Sequence, residues 1–84
     1  MKIMAKDKHE YEQFKKEIEL LIKDRKSMKD GVVERINHYR TSKMYINAEE
    51  YKNKVIAEEE ELLESIEKQL EGFRFILNNL NYKE

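Results

Sequence analysis

The chain has 84 residues and a net charge of −1, and 42% of its residues are charged while 39% are hydrophobic. A chain of this length forms a single domain, 1–84, with a small core, and the absence of cysteine excludes disulfides and thiolate metal sites as sources of stability. The near-neutral charge excludes a general attraction to nucleic acid or to anionic membranes. Self-association, or docking on a partner, is the remaining route to stability.

The composition favours helices over strands. There is no proline and there are only two glycines, so few residues interrupt a helix, and Glu, Lys, Leu and Ile are abundant. No apolar run reaches the ~18 residues that span a bilayer. The start of the chain becomes charged too early for a secretory signal. We therefore predict an all-α, cytoplasmic protein that does not enter a membrane.

The first predicted helix begins after residues 1–6. Asp7 is a candidate N-cap because its carboxylate can accept from the amides of the first turn, and Glu10 follows three residues later, as in a capping box. Apolar residues then recur at steps of three and four, which is the period of one helix face. This pattern predicts an N-terminal helical arm over residues 7–45. The members of its first stripe are Tyr11, Phe14, Ile18, Leu21, Ile22 and Met28.

The residues around Gly31 leave two interpretations of this arm open. Gly31 could end a helix in a left-handed cap, with Ser27 or Asp30 beginning a second helix. The stripe nevertheless keeps its helical steps across this point, from Leu21 to Tyr39, as it would along one helix. A glycine inside a helix costs only about 1 kcal/mol. The arm is therefore either continuous or broken near Gly31.

A second helix is predicted over residues 48–80. Asn47 suits its N-cap, and Glu50 lies three residues further on, where it favours the start of a helix. From residue 59 onwards this helix carries the most regular apolar stripe of the chain. Antiparallel packing of the two arms gives an antiparallel helical hairpin. The stripe consists of Leu62, Leu63, Ile66, Leu70, Phe73, Ile76, Leu77 and Leu80.

This second stripe is too wide for one neighbouring helix to cover. In a lone hairpin we expect Leu63, Leu70 and Leu77 to remain partly exposed. Phe75 lies off the stripe and is predicted to face solvent or another subunit. We therefore expect the hairpins to associate into a helical bundle, as a homodimer or a higher oligomer. The predicted interface residues are Leu62, Ile66, Leu70, Phe73 and Leu77.

The two arms carry opposite charges. Residues 1–46 hold 12 basic and 8 acidic residues, and residues 47–84 hold 5 and 10. Glu58–Glu61 form an acidic run in which like charges repel. A basic surface from the first arm, or from another chain, would fit this acidic run. If the arms pack antiparallel, much of the charge asymmetry cancels within the molecule.

Residues 35–45 form a basic–aromatic segment at the end of the first arm. Cations interleaved with aromatic rings can hold phosphates and stack bases. Alternatively, Tyr39 packs in the stripe and the cations form an ordinary surface, some of them paired with the acidic run. The candidates for contact with a protein partner, a nucleic acid or a phosphorylated nucleotide are Arg35, Tyr39, Arg40, Lys43 and Tyr45.

No pattern in the chain indicates catalysis, a metal or a cofactor. His9 and His38 are the only histidines, and His38 with Glu34 offers two ligands where zinc needs three or four. There is no glycine-rich phosphate loop and no nucleophile–base set with supporting context. We therefore predict a non-enzymatic interaction protein, such as a small phage-encoded regulator or inhibitor of a host protein. Binding of nucleic acid or a phosphorylated nucleotide is the alternative.

Overall fold

The computed structural model of the chain describes residues 3–5, 7–45 and 47–82. Its main elements are a 34-residue helix, α1 (Lys8–Thr41), and a 31-residue helix, α2 (Glu49–Asn79). The two helices pack against each other along the molecule. The predicted all-α helical hairpin is therefore confirmed.

The hairpin is a rod that is only one helix thick. Its dimensions are 64 × 20 × 12 Å, and an α-helix with its side chains is about 10–12 Å across. The radius of gyration is 18.6 Å, whereas a compact domain of this length would have a value of about 12 Å. Two broad faces of the helix pair are consequently open to solvent.

Helix α1 begins at the predicted cap and runs without a break. The Asp7 carboxylate accepts a hydrogen bond from the Glu10 amide at 2.8 Å, which confirms Asp7 as the N-cap. The helix continues through Gly31, whose φ is not positive. The structure thus decides between the two interpretations of this arm in favour of the continuous helix.

Helix α1 ends earlier than the predicted residue 45. The Ser42 amide donates to the His38 carbonyl at 2.9 Å, and Ser42 itself has extended φ and ψ angles, so the regular helix stops at Thr41. A short 3-10 helix, Lys43–Tyr45, then leads towards α2. The end of the first arm therefore consists of a turn rather than a further α-helical turn.

The prediction that Asn47 caps α2 is wrong. The first helical hydrogen bond runs from the Lys52 amide to the Ala48 carbonyl at 2.9 Å, so Ala48 is the N-cap residue. Alanine has no side-chain acceptor, and no side-chain hydrogen bond caps this end. The helix otherwise spans nearly the predicted range.

Two short strands join the ends of the chain, a feature that the sequence did not predict. Strand β1 (Ile3–Ala5) pairs in parallel with β2 (Leu80–Tyr82), with Ile3 opposite Leu80. The side chain of Leu80 is buried. The pairing closes the end of the rod that lies opposite the turn.

The helices meet along a seam with alternating steps of four and three residues, the period of a coiled coil. Its central part is a buried cluster of Val32, Ile36, Ile66 and Leu70. Every seam position is buried or half-buried. The seam residues of α1 are Ile18, Ile22, Arg25, Lys29, Val32, Ile36 and Tyr39, and those of α2 with β2 are Lys52, Ile56, Glu59, Leu63, Ile66, Leu70, Phe73, Leu77 and Leu80.

The exposure of the second stripe differs from the prediction at one position. Leu63 and Leu77 are half-buried, as expected for a lone hairpin. Leu70 is only 2% exposed, so the prediction that it stays partly exposed is wrong. The reason is that Leu70 lies on the seam and packs with Val32 and Ile36 of α1.

Candidate functional site

Most of the residues predicted at an oligomer interface lie on the seam of the protomer itself. Ile66 and Leu70 are buried there, and Phe73 and Leu77 are half-buried. Leu62 is 40% exposed, because it lies beside the seam rather than on it. Of these five residues, Leu62 has the largest exposed fraction.

One broad face of the rod is charged. Arg40 of α1 pairs with Glu60 of α2, with 2.6 Å between Nη2 and Oε1, and Lys29 lies 3.5 Å from Glu67. Residues seven positions apart lie two turns apart on the same side of a helix. The other residues of this face therefore lie at steps of seven from Arg40 on α1 and from Glu60 on α2. The charged face comprises Lys26, Val33, Arg40, Glu60, Glu67 and Arg74.

The opposite broad face is mostly apolar. Arg25 shows that side chains of both helices meet there, because its Nε donates to Gln69 Oε1 at 2.6 Å and its Nη1 lies 3.9 Å from the Met28 sulfur. Leu62 and Ile76 lie two turns before and after Gln69 on α2. Besides Arg35 and Gln69, which lie at the same helical steps, the apolar face comprises Phe14, Leu21 and Met28 of α1 with Val55, Leu62 and Ile76 of α2, each half-buried or exposed.

The basic–aromatic segment and the acidic run pair with each other across the helices. The Arg35 guanidinium donates two hydrogen bonds to the Glu59 carboxylate, at 3.1 and 3.0 Å. These hydrogen bonds raise the pKa of Arg35 above its ordinary value. Together with the Arg40–Glu60 pair, they confirm that the acidic run receives a basic surface from the first arm.

The other members of the basic–aromatic segment do not gather into one site. Tyr39 is half-buried on the seam, and its ring lies edge-on to that of His38, with centroids 5.9 Å apart. Lys43 is exposed in the 3-10 helix. The side chain of Tyr45 lies outside the described part of the structure. Because Arg35 and Arg40 already have carboxylate partners, a phosphate would have to compete with Glu59 and Glu60 for them.

Sequence reasoning missed the role of Arg25. Besides Gln69, its guanidinium pairs with Asp24 and lies 5.9 Å from the ring centroid of Phe73, a cation–π contact. The signal was present in the sequence, since Arg25 occupies a stripe position where an apolar residue is expected. Its partners could be identified only once the register of α1 against α2 was known.

Other site types find no support in the described residues. They contain no group of three or more His, Cys, Asp or Glu side chains that could hold a metal ion. None of the described helices combines the length and hydropathy needed to cross a membrane. Comparisons of the chain with protein-family models, curated proteins and solved structures found no match. The two broad faces of the rod are therefore the candidate functional surfaces.

Proposed function

We propose that the protein is a non-enzymatic helical interaction protein that self-associates and regulates or inhibits a partner protein by covering part of its surface. The observation that carries this proposal is the contrast between the seam and the apolar face. The seam between the helices is closed, yet the apolar face beside it exposes leucine and methionine side chains. An exposed apolar strip of this kind, next to polar surroundings, is typical of a protein–protein contact.

The shape of the rod supports the same proposal. Its described clefts lie between side chains on open helix surfaces, such as the cleft of about 280 Å³ between Val33, Arg40 and Glu60 on the charged face. Substrate sites in enzymes are usually concave and enclose most of a small ligand. A rod with two long, open faces is better suited to contact another macromolecule than to enclose a small substrate.

Binding of nucleic acid or a phosphorylated nucleotide is the second candidate. It is favoured by the exposure of the paired cations, because the side chains of Arg35 and Arg40 remain 49% and 55% exposed, with Lys43 nearby. Against it, both arginines are neutralised by carboxylates of α2. Phosphate binding would have to replace those ion pairs.

Light scattering of the protein, alone and with a single-stranded oligonucleotide, distinguishes the two candidates. We expect a mass of at least twice 10.3 kDa and no change when the oligonucleotide is added. A mass of 10.3 kDa at every concentration would contradict self-association. An oligonucleotide complex that weakens with salt and is abolished by Arg40→Glu with Lys43→Glu would instead establish the second candidate.

A further inference from the structure

The protomer exposes more surface than a compact protein of its mass. Its accessible surface is 6736 Å², whereas the value for a folded monomer of 10.3 kDa is about 5,400 Å². The excess is roughly 1,300 Å², and a stable interface of ordinary size covers about 800 Å² on each partner. Covering one broad face of the rod would therefore remove more than half of this excess.

The apolar face is the one that can be covered at low electrostatic cost. The cations at its border already have partners within the protomer, Arg35 with Glu59 and Arg25 with Asp24. Covering the charged face would remove more exposed ionic groups from water, namely Lys26, Arg40, Glu60, Glu67 and Arg74. An uncharged apolar partner fits the first face better than nucleic acid or a charged peptide does.

Gly72 provides a further indication. It lies in the interior of α2 with helical backbone, where glycine destabilises a helix relative to alanine. An added Cβ at Gly72 would meet no heavy atom of the described residues within 4 Å, so the protomer itself does not require a glycine there. Gly72 lies three residues after Gln69 and therefore at the edge of the apolar face. A second helix that approaches this edge closely would explain a residue without a side chain.

We propose that a second copy of this chain packs on the apolar face, so that two hairpins form a four-helix bundle. A two-fold contact uses the same patch on both partners, and a rod of equal length is the partner that can cover a face 64 Å long. This inference rests on the proposed function and identifies the face through which self-association occurs. The seam of each hairpin remains intact in the bundle, and the charged faces point outward.

A matched pair of substitutions tests this assignment. Leu62 on the apolar face and Val33 on the charged face are 40% and 38% exposed, so a glutamate at either position disturbs the protomer to a similar extent. We expect Leu62→Glu to raise the dimer dissociation constant by at least ~100-fold, because the two-fold contact buries the new charge twice. We expect Val33→Glu to leave the dissociation constant within a few-fold of the original. Sedimentation velocity over a concentration series measures both.

A third variant and a measurement of helix content distinguish loss of the dimer contact from unfolding of the protomer. Met28→Glu places the charge on the same face from α1 and should act like Leu62→Glu, while circular dichroism follows the helix content. Dimers that persist in both Leu62→Glu and Met28→Glu, or that are lost only in Val33→Glu, would overturn the assignment of the face while leaving self-association standing. A monomeric unsubstituted protein would instead overturn the proposed function as well.

Discussion

Polar side chains occupy three seam positions near the middle of the hairpin: Arg25, Lys29 and Glu59. Each finds a partner on the opposite helix, namely Gln69, Glu67 and Arg35 in that order. A polar residue in a coiled-coil seam lowers stability but fixes the register, because a shifted pairing leaves it without a partner. These residues therefore select one alignment of α1 against α2 from the several that the leucines and isoleucines alone would allow.

The Arg35–Glu59 pair can be tested by Glu59→Gln. The pair has two hydrogen bonds, but the Arg35 side chain is 49% exposed and that of Glu59 is 19% exposed, so solvent screens the attraction. We expect a loss in the free energy of unfolding, because Arg35 keeps its charge while its partner loses it, measured by urea denaturation at one protein concentration. Glu61→Gln, on the solvent side of the same helix, is the matched control and should change it by less than about 0.5 kcal/mol. Equal losses in the two variants would show that the pair does not stabilise the fold.

At the scale of single residues, the sequence predicted that the two arms would form ion pairs but not which residues would pair. The opposite charges of the two arms predicted that the acidic run would meet cations of the first arm, and Arg35 and Arg40 do so. The contacts of Arg25 with Gln69 and Phe73 could not be predicted. They depend on the register of the helices, and a shift by one turn would give the guanidinium different neighbours.

The two helices differ in how far local chemistry determines their ends. Asp7 caps α1 as predicted, because a carboxylate just before a helix can accept a hydrogen bond from an amide of the first turn. The start of α2 depends instead on where the chain emerges from the turn, and the first helical hydrogen bond forms at Ala48, one residue after the better capping side chain of Asn47. The β1–β2 pair was also beyond prediction, since three residues show no usable alternation.

The uncapped start of α2 predicts a stabilising substitution. Ala48→Ser supplies a side-chain oxygen where the first-turn amides have no side-chain partner, and we expect a gain of about 0.5–1 kcal/mol in the free energy of unfolding. Ala57→Ser makes the same exchange in the exposed interior of α2 and should instead lose a few tenths of a kcal/mol, roughly the difference in helix propensity. Thermal or urea unfolding compares the two. A loss at position 48, or the same change at both positions, would contradict Ala48 as the N-cap.

On the scale of the whole molecule, some apolar residues of the hairpin close the seam between the helices and others are exposed on the apolar face. Ile66 and Leu70 close the seam within the protomer, while Leu62, on the same predicted stripe, faces outward. The sequence predicted a stripe wider than one helix can cover, and the structure shows which part of it the first arm covers. The sequence could not predict which apolar residues would lie on the seam and which outside it, because that depends on the direction from which α1 approaches α2.

If the apolar face is covered by a second copy, the stability of the fold depends on concentration. A hundredfold increase in protein concentration stabilises each protomer of a dimer by about 1.4 kcal/mol, which raises the Tm of a domain of this size by roughly 5–10 °C. We expect this rise for the unsubstituted protein and for Val33→Glu, and a constant, lower Tm for Leu62→Glu, followed by circular dichroism. The same Tm across the hundredfold range in the unsubstituted protein would mean that the single rod is stable with its apolar face exposed, because unfolding that is not coupled to dissociation does not respond to concentration.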